Sequence, residues 1–280
     1  MRHSRPVLST PRRTSLGPGR VTSYQNPNSS EQPFSQFYEY RKLPQQLLCS
    51  SDNLVRTWRR ISLEYAHDDE LPSGHTDEVR TPNALVERFL KAYTEPGDKV
   101  IDVFAGYGTT LKVADRLDRV PYGLEFEFDR AAHVREEIST PDHVRQGDVL
   151  ELDPSWFPAC DCCFTSPPFM ERTDDRNPFR NYSGESTYED YLDDVETAFA
   201  RLDSVLAPGG HVVVDVANMK YEGRVTPLAW DVAERLSNVF RFDGETVVTW
   251  EGDGSPDERE GRFGYGYDHS YCLVFTKDSD

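Results

Sequence analysis

From Thr81 onward the chain alternates between helical and strand periodicity, and this alternation restricts the fold more than any other feature. "TPNALVERFLKAY" sets Leu85, Val86, Phe89, Leu90 and Tyr93 on one helical face, with Thr81 expected as N-cap and Pro82 at the first helical position. The strand "KVIDVF" follows, then a glycine turn and the helix "TTLKVADRL". "VPYGLEFE", "HVRQGD" and "DCCFTS" read as further strands, with "RAAHVREEI" a helix between the first two. "TYEDYLDDVETAFARLDSVL" carries Tyr188, Tyr191, Leu192, Val195, Phe199, Leu202 and Leu206 at helical spacing, and "APGG" is expected to stop it. "HVVVDVA" is a fully buried strand; a helix near "LAWDVAERLSNVF" and the strands "GETVVTW" and "HSYCLVFT" complete the pattern. The fold class implied is α/β, a mostly parallel seven-stranded sheet with helices on both faces. Ligands of such sheets bind outside the carboxyl ends of the strands.

Three domains of sequence precede or make up this core. Residues 1–35, rich in Pro, Ser, Arg, Gly and Asn, read as a disordered basic arm. Residues 36–80 read as an N-terminal extension with a helical stretch around Leu54 to Leu63, available for target recognition, and residues 81–280 as the α/β domain. Residues 1–60 hold ten Lys and Arg against three Asp and Glu, a charge of +7; the other 21 and 46 give residues 61–280 a charge of −25. A Lys-poor, evenly acidic body points to a halophilic, salt-accumulating host. In about 1 M salt, screening within about 3 Å makes that acidity no bar to a polyanionic partner. No apolar run reaches the roughly 18 residues of a membrane span, and "MRHSRPVLSTPRRTSLGPGR" has no apolar signal core, so a cytoplasmic protein is expected.

"VIDVFAGYGTT" is strand, acid, Gly-x-Gly, helix. Gly106 and Gly108 let the backbone approach a ligand, and the helix start offers free N–H groups. No Lys follows Gly108, which excludes a phosphate-binding P-loop, and Leu111 stands where a dinucleotide fold places its third glycine. A nucleoside bearing an amino-acid end needs carboxylates instead. Asp102 ends the first strand of the domain, suited to an ammonium; Glu125 ends the second, suited to both ribose hydroxyls; Asp148 follows the third, suited to an adenine amino group. Together they point to S-adenosylmethionine.

"CDCCFTSPPFM" ends the fourth strand with Cys160, Cys162 and Cys163. A structural zinc site needs two separated Cys/His pairs, so no metal is expected. A covalent cysteine needs exposure and a low pKa, whereas these thiols lie within the strand and serve as small core residues. The chemistry comes one step later. Ser166, Pro167, Pro168 and Phe169 leave the strand with two fixed φ angles. A hydroxyl, a rigid carbonyl and an aromatic face suit a planar base with an exocyclic amine. Acceptance of its protons by Ser166 Oγ and the Pro167 carbonyl favours a pyramidal nitrogen whose lone pair can attack a methyl sulfonium in line, with Phe169 stacked on the extruded base.

"DVFAGYGTT" followed by "TSPPF" resembles the amino-methyltransferases of DNA, and "HTDEVRTPNALVERFLKAYTEPGD" resembles the family helix that helps hold the methionine end of the cofactor. The likeness covers about residues 75–217. It implies a class I S-adenosylmethionine-dependent fold in which Asp102, Phe104, Gly106, Gly108, Thr109 and Thr110 hold cofactor and Ser166 to Phe169 hold the target base. Serine at the first motif position is typical of members acting on N4 of cytosine, so the resemblance implies a cytosine-N4 modification enzyme of DNA. An RNA base methyltransferase, an N6-adenine enzyme and a non-catalytic cofactor-binding subunit are the alternatives. Val103 replaces the usual Pro, Tyr107 the usual Ser, and Thr81-Pro82 the basic Lys-Pro pair. There is no large recognition insertion. Recognition is therefore expected from residues 1–80 and from the loops "MERTDDRNPFRNYSGES" and "EGDGSPDEREGRFGYGYDH", the first offering Arg172, Arg176, Phe179, Arg180 and Tyr182 to nucleic acid.

Overall fold

A computed structural model describes residues 58–67, 71, 80–221, 223–251 and 269–279. Ten strands and five α-helices follow in the order β1 Trp58–Glu64, α1 Asn83–Tyr93, β2 Lys99–Asp102, α2 Thr109–Arg116, β3 Val120–Glu125, α3 Phe128–Glu137, β4 Val144–Gln146, β5 Cys160–Thr165, α4 Tyr188–Asp203, β6 Leu206–Val216, β7 Met219–Tyr221, β8 Arg224–Thr226, α5 Leu228–Leu236, β9 Arg241–Glu251 and β10 His269–Thr276. Eight strands form one sheet in the order β1-β9-β10-β6-β5-β2-β3-β4, and β7 and β8 pair as a separate hairpin. Only β10 runs antiparallel to its sheet neighbours. This is the Rossmann-like sheet expected of a class I methyltransferase fold, with one strand more than the sequence suggested.

The extra strand corrects the helical reading near Leu63. Along β1 the half-buried Arg59, Ile61 and Leu63 alternate with exposed Arg60, Ser62 and Glu64, a period of two rather than 3.6. Parallel pairing with β9 secures it at the sheet edge, aided by Thr249 Oγ1 donating to the Ile61 carbonyl at 3.1 Å. The part of that stretch before Trp58, and the arm, lie outside the described residues.

Neighbouring residues of the central strands divide between two cores, as the pleat requires. Ile101, Cys163, Val212, Val214, Leu273 and Phe275 face α4 and α5, meeting Tyr191, Val195, Phe199, Val232 and Leu236. Val100, Cys162, Phe164, Val213, Cys272 and Val274 face α1 and α2, meeting Leu85, Phe89, Leu90 and Val113. A register shift between Cys160 and Cys162 turns Cys160 toward the first core, beside Cys163. All four described cysteines are buried, and burial pushes their thiols up, Cys160 to about 12. Among the described residues no cluster of His, Cys, Asp and Glu could hold a metal ion, and no helix is long and apolar enough to cross a membrane.

Two helix ends differ from expectation. Pro82, not Thr81, is the N-cap of α1, and the Thr81 hydroxyl goes elsewhere. α4 opens with a capping box between Thr187 and Asp190, but stops at Asp203, so that Ala207-Pro208-Gly209-Gly210 falls inside β6.

Candidate active site

The carboxyl ends of β2, β3, β4 and β5 surround one cavity of about 280 Å³. Its walls include Asp102, Phe104, Gly106, Thr109 and Thr110 from the glycine turn, Glu125 from β3, Asp148 beyond β4, and the whole run from Ser166 to Phe169. Strand order explains the convergence. β5 and β3 flank β2, so the glycine turn, the acid of β3 and the proline motif leave neighbouring strands on the same edge.

Asp102 is 4% exposed and accepts from Thr165 Oγ1 at 2.6 Å and from the Phe104 amide at 3.0 Å. Burial nevertheless dominates and holds its carboxyl above the ordinary carboxylate value, against the opposing bonds from Thr165, Phe104 and Thr110. Glu125, 5% exposed, shows the same balance: burial raises it while the Glu127 and Gly106 amides pull it down. Its Oε2 accepts the Gly106 amide at 2.7 Å and its Oε1 the Glu127 amide at 2.9 Å. Each oxygen thus closes the turn by accepting one amide, and a carboxylate oxygen can accept a second hydrogen bond. Asp148 Oδ1 caps the short turn Val149–Glu151 through the Leu150 amide at 2.9 Å while the residue lines the cavity.

The two glycines of the turn do different work. At Gly106, φ +53°, a Cβ would make only an ordinary contact with the Phe104 carbonyl at 3.9 Å, and the Gly106 amide is presented to Glu125. Gly108, at φ +81°, does not line the cavity; a Cβ there would lie 2.8 Å from Val134 Cγ1 of α3. Its place in the motif reflects helix packing rather than ligand contact. Phe104 lines the cavity with its ring edge against Phe179, centroids 5.7 Å apart.

At the end of β5, Ser166 Oγ donates to the Asp215 main-chain carbonyl at 2.9 Å. A hydroxyl whose proton is so engaged offers lone pairs in its other directions. Tyr191 Oη donates to the Pro168 carbonyl at 3.0 Å, and Pro167 lines the cavity beside it. Phe169 is half-buried on the same wall.

The loop expected to meet nucleic acid divides. Arg172 pairs with Asp231 at 2.8 Å and lies over the Tyr188 ring; Arg180 pairs with Asp194 at 3.2 Å; Arg176 is exposed, 3.9 Å from Asp174. Phe179 is 9% exposed and belongs to the first core. Tyr182, 54% exposed, is the one of the five that stands both at the cavity and in the open. Asn181 and Tyr182 hold successive positive φ angles, +51° and +54°, an uncommon strain for non-glycine residues. Asn177, fully buried, ties this turn to α4 through Asp194 at 2.6 Å. The second loop expected to take part in recognition falls mostly outside the described residues.

Sequence reasoning missed Thr165, Arg80, Arg130 and Asp215. Thr165 sits one residue before the motif it supports. Arg80 and Arg130 line the cavity with Thr81. Asp215 was visible as an acid within a run of valines, an arrangement that burial tolerates only with hydrogen-bond partners.

A family model described as DNA methylase matches residues 20–135 and 160–280. A curated relative, the type II methyltransferase M.BglII of Bacillus subtilis, is 48% identical over 61 residues, 22% of this chain and 16% of the relative. The match thus spans well under two thirds of that relative's length. Among solved structures, TrmN from Thermus thermophilus aligns with a TM-score of 0.48 at 20% identity, over 70% of this chain and 48% of TrmN. A SAM-dependent O-methyltransferase from Thermotoga maritima aligns with a TM-score of 0.46 at 16% identity, over 73% of this chain and 68% of its own.

Proposed function

The chain belongs to the DNA methylase family, and from that premise we propose that it methylates the exocyclic N4 amine of cytosine in DNA, using S-adenosylmethionine. One observation carries this reading: Ser166 to Phe169 open onto the same cavity as Asp102 and Glu125.

The donor set of the cavity suits that cofactor. Two buried carboxylates at a helix start repel phosphate and favour hydroxyls and an ammonium. Asp102 receives the ammonium and Glu125 the ribose hydroxyls, while Asp148 accepts from the adenine amine. Arg80, immediately before Thr81, supplies the cation that the family's Lys-Pro pair would have brought, and meets the carboxylate of the amino-acid end. The cofactor contributes a methyl group on a sulfonium, electrophilic without help from a metal.

Ser166 Oγ and the Pro167 carbonyl accept the two amine protons and draw the nitrogen lone pair out of conjugation. Phe169 stacks on the base and Tyr182 guards the mouth. With the methyl group taken up by the amine, the surplus proton would leave the nitrogen for solvent. The protein's part is orientation, which is worth several powers of ten when both partners are held in line. Serine at position 166, the residue typical of the cytosine-N4 members that the motif resembles, is what favours cytosine over adenine within this reading.

Transfer of labelled methyl to matched DNA and RNA, digested to nucleosides, tests the proposal. Label in N4-methyldeoxycytidine is expected. Label in N6-methyldeoxyadenosine overturns the choice of base, and label confined to RNA overturns the choice of polymer. Ser166→Ala and Phe169→Ala should each cut transfer by about a hundredfold or more while S-adenosylhomocysteine still binds; full activity in both would overturn the assignment of the base pocket.

A further inference from the structure

Asp215, completely buried near the end of β6, touches both halves of the cavity. It points to the face covered by α1, the face of Val213. Its carboxylate accepts the Thr81 hydroxyl proton on Oδ2 at 3.0 Å and the Ser270 hydroxyl proton on Oδ1 at 3.2 Å, and its main-chain carbonyl accepts the Ser166 hydroxyl at 2.9 Å. Thr81 and Ser166 both line the cavity, one on the approach to α1 and the other beyond β5.

Carboxylate and carbonyl oxygens have no proton to give, so a hydroxyl facing them can only donate. Both hydroxyls therefore turn their protons toward Asp215 and their lone pairs away from it. Resting on the functional reading above, both incoming groups are proton donors: an ammonium on the cofactor and an exocyclic NH2 on the base. We infer that Asp215 is a positioning residue that fixes Thr81 and Ser166 as acceptors and joins cofactor capture to base capture. The carboxylate acts on Thr81 directly. It acts on Ser166 by anchoring the end of β6, to Ser270 on β10 and to Thr81, so that the carbonyl holding Ser166 stays in place.

The test is a cycle of Thr81→Val, Asp215→Asn and their combination in the full chain, with Thr81→Ser as rescue. S-adenosylhomocysteine affinity is read by calorimetry and methyl transfer by steady-state kinetics. Thr81→Val and Asp215→Asn should each weaken affinity about tenfold, and the double variant by little more than the larger single loss, because both remove one interaction. Thr81→Ser should recover most of what Thr81→Val loses. Asp215→Asn should also lower kcat about tenfold, whereas the Thr81→Val loss falls mainly on the cofactor KM. Multiplying losses in the double variant overturn the coupling, as does an Asp215→Asn enzyme with unchanged kcat. If Asp215→Asn does not fold, the Thr81 pair decides: Val as tight as wild type refutes the inference, and loss with Val but not Ser sustains it. A wild type that does not bind S-adenosylhomocysteine removes the cofactor reading and this inference with it.

Discussion

Thr165 donates its hydroxyl proton to Asp102 across 2.6 Å, tying the last residue of β5 to the last residue of β2. The residue before the proline motif thus steadies the acid before the glycine motif. Thr165→Val removes a charge-assisted bond that opposes the rise in the Asp102 pKa. S-adenosylhomocysteine affinity should fall about tenfold, given the ordinary worth of such a bond, with its acid limb moved to higher pH in a calorimetric titration series. An unmoved limb would show that Asp102 does not govern binding.

Asp102→Asn separates stability from function. In the ligand-free protein the Asp102 and Glu125 carboxyls both titrate above their ordinary values because burial disfavours the charged form. Between the unfolded and the raised pKa the native state holds more protons than the unfolded state, so these two groups lower stability as pH climbs through that window. The amide keeps an oxygen for Thr165 and Phe104 but carries no charge. The variant should melt no lower than wild type at neutral pH while losing at least about tenfold in cofactor affinity, the familiar opposition of stability and function. A clear drop in melting temperature would assign Asp102 a structural role instead.

Gly108→Ala and Gly106→Ala should part company. At Gly108 the new Cβ meets Val134 at 2.8 Å in a left-handed conformation, and about 1–3 kcal/mol of stability should go. At Gly106 the new Cβ makes only an ordinary contact, 3.9 Å from the Phe104 carbonyl, so the cost is the φ angle and the effect shows chiefly in ligand binding. Denaturant melts of both variants, with and without S-adenosylhomocysteine, compare the two; equal destabilisation contradicts the division.

Native-state alkylation with iodoacetamide near pH 8, followed by peptide mass mapping, should leave Cys160, Cys162, Cys163 and Cys272 unmodified. Burial deprives each of its reactive thiolate, and only unfolding should expose them. Rapid modification of Cys163 in the folded protein would reopen a role for sulfur near the motif.

Local periodicity made most of the architecture legible. Val100 and Ile101, Cys162 and Cys163, Val213 and Val214 already announce strands covered on both faces, and Asp102, Glu125 and Ser166 announce where the strands end. A short edge strand such as β1 was less legible, because its half-buried alternation spans only a few residues and depends on β9 for its partner. Phe179 looked like a surface aromatic among charges; it is buried because Asn177 turns the chain back against α4.

The amino-acid order by itself thus determined the succession of elements, the glycine turn and the place of the proline motif, since each depends on neighbours along the chain. Which of those neighbours face one another was decided in three dimensions. Thr81 meets Asp215 across 134 residues because β6, β5 and β2 lie side by side, and nothing in local spacing encodes that order. Packing of α3 against the glycine turn excludes a side chain at Gly108, and the placing of Asp215 between Thr81 and Ser166 brings two hydroxyls to one cavity.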